Sequence, residues 1–256
     1  MKPAQILDLK PTLTPGAQVT PLGDGTWHLE IPPGPKGHYR VAQMDDYGSS
    51  PRRSFPWKPP VQLSLRLRAS ANNLPGTWGI GLWNNPFGMA ILKGAEVLRL
   101  PALPNAAWFF FASPPNFLSL RDDLPAQGML AATFRSSRWP SSLLWLTAPA
   151  LPFLLFPGFA RLLRQAGRRV VQQDATLLSL VPEEWHTYTL EWQPERVTFL
   201  LDGQRALETN VAPYGPLGLV LWVDNQFAAL PPVGRPSFGT LANPSPACIE
   251  IADLHI

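Results

Sequence analysis

Proline recurs along this chain at intervals too short for long helices. It counts 31 prolines and 19 glycines in 256 residues. A proline inside a helix removes a backbone hydrogen bond and clashes with the preceding turn. A helix bundle or coiled coil is therefore excluded. The glycines follow no three-residue period, which excludes collagen. Hydrophobic residues make up 45% of the chain, enough for a core, so it is not a disordered polymer. What remains is short extended segments punctuated by Pro and Gly, an all-β profile. Pro32-Pro33, Pro59-Pro60, Pro114-Pro115 and Pro231-Pro232 then read as boundaries between strands.

Hydropathy patterning places the strands. Val61 to Ala69 alternates strictly, so one face is buried and one is wet. Trp185 to Trp192 alternates in the same way, with Tyr188, Leu190 and Trp192 on one side. Trp108 to Ala112 is apolar on both faces, which predicts a central strand covered on both sides. Thr77 to Trp83 is a strand with Gly79 and Gly81 on one face and Trp78, Ile80 and Leu82 on the other. Further strands are expected at Trp27–Ile31, Tyr39–Met44, Met129–Phe134, Arg196–Leu201, Gln204–Glu208, Pro216–Val223 and Ile249–Ile256. Asp202-Gly203 is a two-residue hairpin signal. Residues 1–25 read largely as loop, with one short strand near Val19. No linker divides the chain, so one β-sandwich over 1–256 is expected.

Charge and cysteine exclude other classes. Only 15% of residues are charged, against about a quarter in ordinary proteins. The net charge of +3 is too weak and scattered to argue for nucleic acid. Cys248 has no partner for an internal disulfide and suits a reducing compartment. Residues 1–21 hold no apolar stretch of signal-peptide length, so a cytoplasmic location is expected. The apolar run 143–160 contains Pro149, Pro152 and Pro157, a poor membrane span.

Residues 143–170 read as a helical insertion. Phe159, Leu162, Leu163, Ala166 and Val170 fall at helical spacing, with Arg161, Arg164 and Arg168 lying away from them. The expectation is a helix packed through its apolar side with a solvated basic face. The competing reading is a membrane-surface element.

One segment carries a family resemblance. Residues 184–203, beginning Glu184-Trp185-His186-Thr187-Tyr188 and closing on Leu201-Asp202-Gly203, resemble the hairpin of laminarinase-type glycoside hydrolase family 16. Ile249 to Ile256 resembles that family's final strand, and Thr77 to Trp83 resembles its "G-x-W-P-A-F-W" strand. The resemblance implies a concanavalin A-like jelly roll of two curved antiparallel sheets with a concave, sugar-binding face. It also implies a catalytic E-x-D-x-(x)-E strand. Here the corresponding stretch is Ala106-Ala107-Trp108-Phe109-Phe110-Phe111, with no Asp or Glu. Retaining hydrolysis needs two carboxyls about 5 Å apart, and adjacent Asp122 and Asp123 would point to opposite faces of a strand.

The expected function is therefore non-hydrolytic binding of a carbohydrate or a small apolar ligand on the concave face. Rings stack on sugars or line apolar pockets. The candidate ligand-binding residues are Trp83, Asn85, Trp108, Phe110, Trp222, Asp224 and Gln226. The alternative is an enzyme with relocated carboxylates at Asp45, Asp46 or Asp224, ionising in an apolar pocket. No cofactor is expected, although Asp45, Asp46 and Asp224 could offer oxygen ligands to Ca²⁺. The histidines His28, His38, His186 and His255 show no metal spacing, and His186 reads as structural. No phosphate loop or G-x-S-x-G elbow occurs.

Overall fold

A computed structural model describes residues 8–48, 50–86, 99–137, 157–233 and 235–256. Its strands are β1 (Lys10–Leu13), β2 (Gln18–Gly23), β3 (Thr26–Ile31), β4 (Val41–Asp45), β5 (Val61–Ala69), β6 (Thr77–Trp83), β7 (Ala106–Ala112) and β8 (Gly128–Ser136). Helix α1 (Pro157–Val170) follows. Then come β9 (Val171–Leu177), β10 (His186–Trp192), β11 (Val197–Leu201), β12 (Gln204–Thr209), β13 (Gly218–Asp224), β14 (Gln226–Ala229), β15 (Ser237–Thr240) and β16 (Ala247–His255). Two seven-stranded antiparallel sheets form a jelly-roll sandwich. Sheet I runs β1-β4-β13-β6-β7-β8-β9 and sheet II runs β12-β11-β10-β5-β16-β3-β2; β14 and β15 pair separately.

Alternation builds the inter-sheet core. From sheet II, β5 supplies Leu63, Leu65 and Leu67, β10 supplies Tyr188, Leu190 and Trp192, and β16 supplies Ile249 and Ile251. Sheet I meets them with Trp78, Ile80, Leu82, Phe109, Phe111, Leu219 and Leu221. The intervening residues of β5 and β10 point outward and are partly or fully exposed. In contrast β6, β7 and β8 are buried at almost every position, as expected for strands apolar on both faces.

The 184–203 hairpin is held by its own motif. Asp202 and Gly203 both take positive φ, at 51° and 77°, which suits the right-handed twist of the flanking strands. The Asp202 carboxylate accepts the Thr187 backbone N–H at 2.8 Å and lies 2.7 Å from His186 Nδ1. This confirms the structural reading of His186.

Three expectations need correction. Residues 1–25 are not largely loop, since β1 and β2 cap the edges of the two sheets. Strand β9 was not expected, because Gln173 interrupts the buried set of Val171 and Ala175, which lies on the face of sheet I away from sheet II; its amide oxygen accepts the Leu120 backbone N–H at 2.8 Å. Helix α1 takes up 157–170 of the expected 143–170 insertion, and residues 143–156 lie outside the described residues. The expected split of faces also fails in part: Val170 packs on the buried layer and Arg161 is exposed as expected, but Arg164, Leu162 and Ala166 do not follow it. Arg164 is only 7% exposed, while Leu162 is 60% exposed and Ala166 also faces solvent. Arg164 donates to the carbonyls of Ser119 and Leu230 at 2.5 and 2.6 Å and pairs with Asp122 at 2.8 Å. Arg168 joins it on Asp122 and on the Leu120 carbonyl. The loop offers bare carbonyls, and guanidinium groups satisfy them where leucines could not. No described helix is long and apolar enough to cross a membrane.

Candidate functional site

Register fixes which residues share the outer face of sheet I, the face that the resemblance makes the concave one. One row across the strands is Gln43, Trp222, Gly79, Phe110 and Leu130. The next row is Asp45, Val220, Gly81, Trp108 and Ala132. Trp83 pairs with Ala106 one row further on. Of the two alternate sets on β7, Trp108 and Phe110 therefore face outward and Phe109 and Phe111 face the inter-sheet core.

The glycines make room for the rings. A Cβ at Gly79 would sit 2.8 Å from the Trp222 ring and 2.5 Å from the Phe109 carbonyl. A Cβ at Gly81 would sit 2.4 Å from Trp108 Cβ and 2.5 Å from the Ala107 carbonyl. Trp108 is the hub of the resulting cluster. Its ring centroid lies 5.8 Å from Trp83, 5.8 Å from Trp222, 5.5 Å from Phe110 and 5.9 Å from Phe134. Such spacings suit offset and edge-on aromatic contacts. Phe110, Trp83, Leu130 and Ala132 are buried, and Leu118, Leu120, Leu124 and Val170 pack against this layer. Trp108 and Trp222 remain partly exposed.

Polar atoms at the site are mostly committed. Trp83 Nε1 donates to Tyr47 Oη at 2.6 Å. Trp222 Nε1 donates to Thr77 Oγ1 at 2.9 Å, and that hydroxyl donates to Asp224 Oδ1 at 2.9 Å. Asp224 also accepts the Gln226 backbone N–H at 3.2 Å and lies 3.4 Å from Tyr39 Oη. Burial raises its carboxyl to about 7 despite these donors. The indole N–H of Trp108 has no hydrogen-bond partner.

Asp224 does not converge with the other two candidate catalytic carboxylates, Asp45 and Asp46. Asp45 is buried on the outer face, holding the Gln43 amide at 2.8 Å and the Tyr47 backbone N–H at 3.2 Å. Burial raises its carboxyl, opposed by those donors and by Arg99. Asp46 points the other way. It accepts Trp57 Nε1 at 2.5 Å and the Leu219 backbone N–H at 2.9 Å, and burial raises it to about 6. Asp224 pairs with Val41, while Asp45 pairs with Val220. Four residues of strand separate them, roughly 13 Å. Glycoside hydrolysis requires about 5–9.5 Å between carboxyls, and a Ca²⁺ cage requires ligands converging at about 2.4 Å from the ion. Asp224 meets neither arrangement with Asp45 or Asp46.

Trp83, Trp108, Phe110 and Trp222 are thus brought together as expected, with Asp224 tied to them through Thr77. Two expected residues stand apart. Gln226 is exposed on β14, paired with Thr240. Asn85 takes a positive φ of 45° beyond β6, and its backbone carbonyl accepts from Arg52 at 2.6 Å. Its buried side-chain oxygen has no partner. Tyr47, Phe134 and Gln43 belong to the layer without having been expected there. The signal for Phe134 was its place on an apolar strand; none existed for Tyr47, which reaches Trp83 from a loop.

No protein-family model matches the chain, and no curated protein matches it. Among solved structures, the chain is similar to LamAcat from Zobellia galactanivorans. Identity is 15%, covering 90% of this chain and 76% of that chain, with a TM-score of 0.47. It is similar to a prokaryotic β-1,3-1,4-glucanase (lichenase) from a mouse hindgut metagenome, at 12% identity, covering 94% and 82%, with a TM-score of 0.45. It is also similar to the Bacillus licheniformis β-glucanase, at 11% identity, covering 93% and 80%, with a TM-score of 0.43.

Proposed function

We propose that this chain binds a carbohydrate without cleaving it, on the outer face of sheet I. The observation that carries this reading is the outward set on β7: Ala106, Trp108, Phe110 and Ala112. Two rings and two alanines, with Gly81 beside them, leave no acid, base or nucleophile on β7. Trp108 and Trp222 are partly exposed, with ring centroids 5.8 Å apart. Stacked indoles with a few polar atoms suit the apolar face of a sugar ring. Phe110, Trp83 and Phe134 are the buried support beneath them.

Intrinsic tryptophan fluorescence and calorimetry with laminaritriose and laminaritetraose test this, alongside an assay for new reducing ends. Saturable binding without cleavage is expected, weakened at least about tenfold by Trp222→Ala. Release of reducing ends would overturn the non-hydrolytic reading. A lack of binding to these oligosaccharides and across a glycan array would overturn the carbohydrate reading.

A further inference from the structure

The outer face of sheet II carries a separate cluster that owes nothing to the aromatic face. His28 and Glu30 are two apart on β3, and Cys248 and Glu250 are two apart on β16. Antiparallel register sets Cys248 opposite Glu30 and Glu250 opposite His28. Side chains two apart share a face, and directly opposed pairs are neighbours. One ligating atom each from His28, Glu30 and Cys248 lie within 4.8 Å of one another, and all three residues are partly exposed.

The surroundings of His28 match a metal ligand. Its Nε2 lies 3.3 Å from Glu30 Oε2. Its other nitrogen, Nδ1, lies 3.5 Å from Glu250 Oε1. Glu250 is itself held by Arg68, whose Nε and Nη2 both reach Oε2 at 2.7 Å. A carboxylate on one imidazole nitrogen fixes the tautomer and leaves the other lone pair free for a cation. Cys248 is anchored through its backbone, which donates to Ser70 Oγ at 3.0 Å. A groove of about 300 Å³, lined by Arg68, Ala69, Ser70, Glu183, Cys248 and Glu250, opens beside it.

We propose that His28, Glu30 and Cys248 bind a divalent ion of the zinc class, with Glu250 and Arg68 as positioning residues behind His28. The donor set decides the class. An imidazole, a thiolate and one carboxylate suit Zn²⁺, whereas Ca²⁺ and Mg²⁺ require oxygen ligands. Bond lengths of about 2.0–2.3 Å put tetrahedral ligand atoms roughly 3.3–3.8 Å apart. The cluster's ligating atoms, within 4.8 Å of one another and with His28 and Glu30 already 3.3 Å apart, lie close to that spacing. Three protein ligands leave a fourth position open to the groove, and the thiol proton leaves to solvent when the ion binds.

Titration of Co²⁺ and then Zn²⁺ into the full chain tests the site. One equivalent of Co²⁺ is expected to give a thiolate-to-metal charge-transfer band, abolished by Zn²⁺ and untouched by Ca²⁺. Cys248→Ser should remove the band. His28→Ala should weaken Zn²⁺ binding at least about 100-fold, and Glu250→Gln should keep the band while weakening binding about 10–100-fold. Should His28→Ala lose its near-ultraviolet circular dichroism, His28→Gln takes its place. Absence of the band, displacement by Ca²⁺, or Zn²⁺ affinity unchanged in both ligand variants would each overturn the proposal.

Discussion

The two outer faces of this sandwich carry opposite chemistry on the same kind of strand. On sheet I the outward side chains are rings and small residues, buried beneath Leu118, Leu120, Leu124 and Val170. On sheet II they are charged and hydroxylated, with Ser64 bonded to Thr189 and Arg66 and Arg68 over the Trp185 ring at 5.1 and 5.0 Å. The difference arises from strand composition. β5 and β10 alternate apolar with polar, so one face stays wet; β6, β7 and β8 are apolar at most positions on both faces and demand a cover. Outward position is therefore no guide to exposure here. The outer face of sheet I is a second core with two indoles at its surface, while the chain's converging ligating groups lie on sheet II.

The sharpest way to break that contrast is to truncate matched rings on β7. Phe110→Ala on the outer face should cost about 4 kcal/mol, as much as Phe109→Ala in the inter-sheet core. Denaturant unfolding measures both, and a loss below about 1 kcal/mol for Phe110→Ala would show that the outer layer is not a core. Next in size is Gly81→Ala, whose new Cβ meets backbone and cannot be relieved by a rotamer change. It should cost about 3 kcal/mol, and an unchanged Tm would contradict the packing of Trp108 over that strand.

A smaller effect comes from pH. Burial holds the folded Asp224 carboxyl at about 7, above its unfolded value. The folded state then binds the proton more tightly, so stability falls as pH rises from the unfolded value through about 7. Asp46, raised to about 6, acts with the same sign. For Asp224 alone, the loss from about pH 5 to about pH 8 should be about 2.5 kcal/mol. Asp224→Asn should flatten that slope, because its carbonyl oxygen still accepts from Thr77. A slope equal to that of the parent chain would remove Asp224 as its source. Smallest is Arg66→Ala on sheet II. Its ion pair with Asp253 is 3.6 Å long, with both side chains about half exposed. Its loss should change stability by less than about 0.5 kcal/mol.

Much of the frame was legible from the residues. The alternation of Val61–Ala69 and Trp185–Trp192, the doubly apolar Trp108–Ala112, and the Asp202-Gly203 turn each became the expected element. The aromatic site was legible too, because Gly79 and Gly81 share a face and a missing Cβ marks a close approach. Helix α1 was misread because its arginines were taken as solvent-seeking. A periodicity argument cannot know that the facing loop presents the carbonyls of Ser119, Leu120 and Leu230. Asn85 and Gln226 were misplaced because being near a strand end in sequence does not fix the direction in which the chain leaves the sheet.

The zinc-class cluster shows the limit most clearly. His28 and Cys248 are at opposite ends of the chain, and no spacing rule connects them. The sequence by itself determined the strands, their buried faces and the lack of carboxylates on β7, since each depends on near neighbours and a period of two. Only the tertiary structure decided which ring set of β7 faces outward, that Asp224 stays apart from Asp45 and Asp46, and that His28 meets Cys248. Those outcomes depend on strand order and register, which are set by packing of distant segments rather than by local pattern.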